Sequence, residues 1–135
     1  MRLEVHAKPN AHIGEVVTVT IDAETFAGIR NLSFIVSYEN RVLEFRSSSP
    51  GGFMQQASAP ATFSAEDPST SGVHVRVDVK NGGVVAAAGT LVVLEFTALQ
   101  AGSSPITLRD VSFLESGRSS ESKDATVRPA SVTIE

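Results

Sequence analysis

The stretch Asn31-Leu32-Ser33-Phe34-Ile35-Val36-Ser37-Tyr38 decides the fold. Leu32, Phe34, Val36 and Tyr38 fall on one face of an extended chain, and Asn31, Ser33, Ile35 and Ser37 on the other. Period-two alternation of this kind predicts a half-buried strand. Its outward face carries small polar groups and one isoleucine, a composition suited to a surface on which something else can lie. A tight connection, Glu39-Asn40-Arg41, leads into a second short apolar run, Val42 to Phe45.

The same period recurs on both sides of this stretch. Val73, Val75, Val77 and Val79 alternate strictly with His74, Arg76, Asp78 and Lys80, the strongest such signal in the chain. Val17, Val19 and Ile21 alternate with Thr18, Thr20 and Asp22. Leu3 to Val5 opens the chain as a short strand, and Val132 and Ile134 close it. Thr90 to Leu99 contains four consecutive apolar residues, Leu91 to Leu94, and is therefore buried on both faces or bulged. Ile106 and Leu108 precede Asp110 while Val111 and Phe113 follow it, so that strand changes phase at Arg109-Asp110. An edge strand is expected around Thr62-Phe63-Ser64. Glycine, proline and serine punctuate the chain at Ala27-Gly28, Ser47 to Gly52, Asp67 to Gly72, Asn81 to Gly83, Ala101 to Pro105 and Ser116 to Lys123, and each of these reads as a turn or loop. About nine short strands and no helix predict an all-β protein, an antiparallel β-sandwich or barrel.

Length and composition fit that class. A chain of 135 residues, 41% hydrophobic and 19% charged, is expected to make one domain with a single core. The net charge of −4 is spread along the chain, with no basic patch to neutralise phosphates, which argues against nucleic acid. Absence of cysteine excludes disulfides and thiolate metal sites. No apolar run approaches the length of a membrane span, and the strand-like N-terminus has no signal-peptide core. The preferred reading is a domain, residues 1–135, cut from a larger secreted protein.

Catalytic chemistry finds little support. His6, His12 and His74 lie on separate segments, none at a helix-type metal-ligand spacing from another histidine or an acid. The carboxylates mostly occupy outward strand positions or turns, where solvated charge is the expected role. Neither a nucleophile elbow nor a phosphate loop is present. Neither metal nor cofactor is expected, and the chain reads as a non-enzyme. A flat polysaccharide platform needs exposed aromatic rings. Here there is no Trp, Tyr38 is in phase with the core, and among the phenylalanines only Phe53, in its glycine-rich loop, is a free candidate.

Ile13-Gly14-Glu15-Val16-Val17-Thr18-Val19, Ala27-Gly28, Leu32-x-Phe34-x-Val36-x-Tyr38, Val42-Leu43-Glu44-Phe45, Ser49-Pro50-Gly51-Gly52-Phe53, Gly89-Thr90-Leu91-x-x-Leu94-x-Phe96 and Ile106-x-Leu108-x-Asp110-Val111 occur in this order. Together they resemble a cohesin domain over nearly the whole chain. The resemblance implies a nine-stranded jelly-roll sandwich from a secreted or surface-attached protein, in the manner of non-cellulosomal cohesin-like members. It also implies a non-catalytic receptor for dockerins, small calcium-loaded helical modules whose helices lie across one sheet face that includes the strand at 31–38. Asn31 aligns with an asparagine that contacts dockerin in cellulosomal members. Ser33 falls where several of those members carry aspartate, a departure that removes a charged acceptor.

If the strands at 31–37 and 73–79 are neighbours, Asn31, Ser33, Ile35 and Ser37 share a face with His74, Arg76 and Asp78. These seven residues are the candidate partner-binding set, with Ile35 as an apolar anchor and His74 and Arg76 as donors. The plain alternative for the same residues is a solvated sheet face with one stray isoleucine. The expected function is a protein–protein interaction module at the cell surface or outside the cell, with a dockerin-like partner. A carbohydrate-binding sandwich, or a passive structural or adhesion domain, is the alternative.

Overall fold

The main alternating segments all run as β-strands. The structure, a computed structural model, describes residues 1–25, 28–53, 61–66, 72–79, 87–115, 119, 120, 122, 123 and 125–135, with backbone alone for 61–66 and 87. Among these residues there are eleven strands: β1 (Arg2–Ala7), β2 (Asn10–Ala11), β3 (Val16–Thr25), β4 (Ile29–Ser37), β5 (Leu43–Pro50), β6 (Ala61–Glu66), β7 (Val73–Val79), β8 (Ala87–Ala98), β9 (Gly102–Glu115), β10 (Thr126–Arg128) and β11 (Ala130–Ile134). They form two sheets, ordered β10-β1-β3-β8-β5 and β2-β11-β9-β4-β7-β6. This is the expected all-β sandwich. Its two additional strands, β2 and β10, are too short to display alternation in sequence, and both add at sheet edges in parallel pairings. The edge strand expected around Thr62-Phe63-Ser64 is β6, paired antiparallel with β7.

Inward residues of both sheets meet in one core. Leu3, Val19, Ile21, Leu91, Leu94 and Phe96 come from the first sheet, and Leu32, Phe34, Val36, Val75, Ile106 and Ile134 from the second; none is more than 2% exposed. The Phe96 ring receives Tyr38 edge-on at 4.8 Å and Phe45 at 5.8 Å, which ties the end of β4 to the opposite layer. The connection after β4 crosses from the second sheet to the first. Its Glu39 N–H donates to the fully buried Ser104 Oγ at 2.9 Å, so neither group is left unsatisfied.

Two bulges account for the irregular hydrophobic patterns. Ile21 opposes Val92 and Asp22 opposes Thr90, which leaves Leu91 as the extra residue of β8. Leu91 and Val92 are consequently both fully buried. On β9, Ser112 opposes Ser33 and Arg109 opposes Ile35, so Asp110 and Val111 together face the single Phe34. Asp110, within the bulge, has φ of 54°. Leu108 before it and Phe113 after it both face the core, which is the phase change visible in the sequence.

Two expectations are corrected. Residues 47–50 are strand, not loop: Ser47, Ser48, Ser49 and Pro50 pair with Glu95, Leu94, Val93 and Val92 of β8. Phe53 is not a free aromatic but is fully buried. Both follow from Gly51, whose N–H donates to the Leu91 carbonyl at 2.9 Å and where a Cβ would stand 2.1 Å from the Thr90 oxygen. Glycine lets the chain lie directly against β8, and the next turn directs Phe53 inward. The expected turns at 67–71 and 81–83, residue 27 and parts of 116–123 lie outside the described residues. No helix among the described residues is long and apolar enough to cross a membrane.

Candidate functional site

β4 and β7 are adjacent and antiparallel, with Asn31 opposite Asp78, Ser33 opposite Arg76 and Ile35 opposite His74. Because Leu32, Phe34, Val36 and the four valines of β7 are all buried, these partners project from the outer face of the second sheet. Asn31, Ser33, Ile35, Ser37 and His74 are partly exposed, and Arg76 and Asp78 are open to solvent. The structure thus brings all seven candidate residues onto one face.

Two shallow depressions lie on this face. One, of about 200 Å³, is lined by Asn31, Leu32, Ser33, Arg76, Val77 and Asp78. The other, of about 150 Å³, is lined by Ser33, Phe34, Ile35, His74, Val75, Arg76 and Asp110. Ser33 and Arg76 belong to both. A serine on β4 opposite a long side chain on β7 leaves room above the sheet for an incoming side chain. Among the described side chains neither His74 nor Arg76 has an ion-pair partner.

Ile35 is closely flanked by the neighbouring strand's approach. Gly72, just before β7, has φ of 146°, and a Cβ there would lie 2.6 Å from the Ile35 Cγ2 and 3.0 Å from the Val36 oxygen. On the other side of β4 stands β9. Its Arg109 Nε donates to Ser37 Oγ at 2.8 Å, and its guanidinium lies 3.4 Å from the Asp110 carboxylate. Arg109, Asp110, Ser112 and Leu114 therefore belong to the same face, with Leu114 opposite Asn31. The sequence reading missed all four. The phase change at Arg109-Asp110 was the available signal, since it turns residues 110, 112 and 114 outward together with 109.

The outer face of the first sheet has a different electrostatic character. His6 Nε2 lies 3.2 Å from Asp22 and 3.5 Å from Glu4, Arg128 reaches Glu4 at 3.8 Å, Arg2 reaches Glu24 at 3.8 Å, and Thr90 Oγ1 donates to Asp22 at 2.9 Å. Across β10, β1 and β3 the charged groups lie against one another in solvent, where such pairs contribute little individually. Among the described residues no group of three or more His, Cys, Asp or Glu is arranged to hold a metal ion.

Comparison with known proteins gives a consistent result. No curated protein sequence matches the chain. Solved structures of the same fold include a non-cellulosomal cohesin from Archaeoglobus fulgidus, with TM-score 0.74 and 19% identity, covering 100% of this chain and 92% of that one. The sixth cohesin of scaffoldin B from Acetivibrio cellulolyticus, solved in complex with a Cel5 dockerin, has TM-score 0.79 and 18% identity over 99% of this chain and 98% of that one. A cohesin module of a family 33 glycoside hydrolase from Clostridium perfringens has TM-score 0.73 at 8% identity, over 99% and 97%. At these identities the structures speak to the fold. The sequence profile of the cohesin domain matches residues 3–134, and the chain belongs to the cohesin family of protein-interaction modules.

Proposed function

We propose that this cohesin domain is a non-catalytic receptor that binds a dockerin-type helical module outside the cell or at its surface, as one domain of a larger secreted protein. The module lies across the outer face formed by β9, β4 and β7. Asn31, Ser33, Ile35, Ser37, His74, Arg76 and Asp78 form its contact surface. The observation that carries this reading is the register of β4 on β7, which sets small residues opposite long polar ones around a single aliphatic group.

Physical chemistry favours this face over its counterpart. A docking surface gains from an apolar anchor surrounded by polar groups able to exchange water for partner contacts. Ile35 and the two depressions over Ser33 meet that description, whereas the first sheet over β10, β1 and β3 presents charges that lie against one another. A dockerin bound to a cohesin of the same fold in Acetivibrio cellulolyticus supports the choice of partner class. Phe53, the aromatic that could have stacked on a sugar, lies in the core instead.

The test is isothermal calorimetry against a panel of calcium-loaded dockerin modules, using the wild type, Ser33→Trp and Thr20→Trp. Ser33→Trp fills both depressions and is expected to abolish binding. Thr20→Trp, on the outer face of the first sheet, should leave it unchanged. Equal loss in both variants, or no heat with any module, would overturn the proposal.

A further inference from the structure

We propose that Asp110 is a specificity-determining residue of this face, and that it receives a basic side chain, lysine or arginine, of the docked module. The inference rests on the docking reading above and adds the chemistry of one contact.

Three observations carry it. The β9 bulge gives Asp110 a φ of 54°, the one positive value among the described non-glycine residues, and turns its side chain onto the face beside Ser33, Ile35 and His74. Bulges re-aim side chains in this way, and aspartate tolerates the left-handed conformation better than most residues, although glycine would fit it with no cost. Next, the carboxylate is 71% exposed, and its one contact among the described residues is Arg109 Nη1 at 3.4 Å. That is longer than a good charge-assisted hydrogen bond, and the Arg109 Nε is committed to Ser37 Oγ at 2.8 Å. The fold therefore makes little use of this charge. Finally, β4 offers no carboxylate on this face: its outward residues opposite β7 are Asn31, Ser33 and Ile35. At the depression around Ile35 and His74 the acidic group is Asp110, supplied by the neighbouring strand, whereas Asp78 of β7 lines the other depression.

A carboxylate with open acceptor positions at the rim of a docking surface discriminates partners by charge. A cation of the module is attracted, and an acidic group in its place is rejected. Asparagine at the same position keeps the backbone conformation and one acceptor oxygen but loses that discrimination.

The experiment takes the dockerin module found to bind the wild type and measures its affinity for Asp110→Asn and Asp110→Gly at two salt concentrations. Both variants are expected to melt within a few degrees of the wild type, since neither strains the bulge. Both should bind about tenfold more weakly or worse, with a shallower salt dependence. Neutralising the module's lysines and arginines singly should find one whose loss costs nothing further in Asp110→Asn. Affinity within twofold of wild type for both variants overturns the role of Asp110 while leaving the docking face standing. Failure of every module to bind the wild type overturns the docking reading, and this inference with it.

Discussion

Gly72→Ala tests how the sandwich supports its outer face. The added Cβ would stand 2.6 Å from the Ile35 Cγ2 and 3.0 Å from the Val36 carbonyl oxygen, and 3.7 Å from the Arg109 guanidinium. The first of these atoms is a methyl on a β-branched carbon and the second is backbone in the middle of a sheet, so neither can move away cheaply. Gly72 also holds φ of 146°, a conformation in which an alanine costs about 1–3 kcal/mol. Overpacking adds about 1–3 kcal/mol more. The sum, about 2–6 kcal/mol, is a large fraction of the stability of a domain this size. In urea denaturation, with a slope of about 1–3 kcal/mol/M, the midpoint should fall by about 1 M or more. Amide signals of Ile35 and Arg109 should shift, because both residues border the inserted methyl. Gly52→Ala is the control, since a Cβ there meets nothing within 4 Å. If Gly72→Ala unfolds within about 0.5 kcal/mol of the wild type, the chain does not pack against Ile35 in this way.

Other substitutions probe the rest of the structure. Ser104→Ala removes the acceptor of the Glu39 N–H in a buried setting, and should cost about 1–3 kcal/mol by chemical denaturation. Phe53→Ala should cost about 3–5 kcal/mol, as expected of a core aromatic; a loss below about 1 kcal/mol would return Phe53 to the surface. His6→Ala removes the solvent-exposed contacts of its imidazole with Glu4 and Asp22 and should change stability by no more than about 1 kcal/mol, measured as a shift in thermal midpoint.

Much of the fold was legible because burial in a two-layer sandwich writes itself into the chain with period two. The valines of β7 and the alternation of β4 could be assigned from sequence because one face of each is core and the other solvent. The bulges of β8 and β9 also left local marks, as four apolar residues in a row and as a change of phase. What local chemistry could not show was contact between distant segments. Ser47 to Pro50 has the composition of a loop, yet β8 offers an edge of backbone donors and acceptors that those residues satisfy. Phe53 looked free because nothing nearby in sequence reveals that Gly51 lies against Thr90. The candidate face was half legible for the same reason. Alternation placed the seven residues of β4 and β7 outward, but only the sheet order sets β9 beside β4 and adds Arg109 and Asp110.

The most direct measurement is an amide chemical-shift and hydrogen-exchange footprint of the domain with and without a bound dockerin module. The changes should concentrate on Asn31, Ser33, Ile35, Ser37, His74, Arg76, Asp78 and Asp110, with the first sheet's His6, Thr18, Thr20 and Asp22 unmoved. A footprint centred on those four residues instead would contradict the assignment of the docking face.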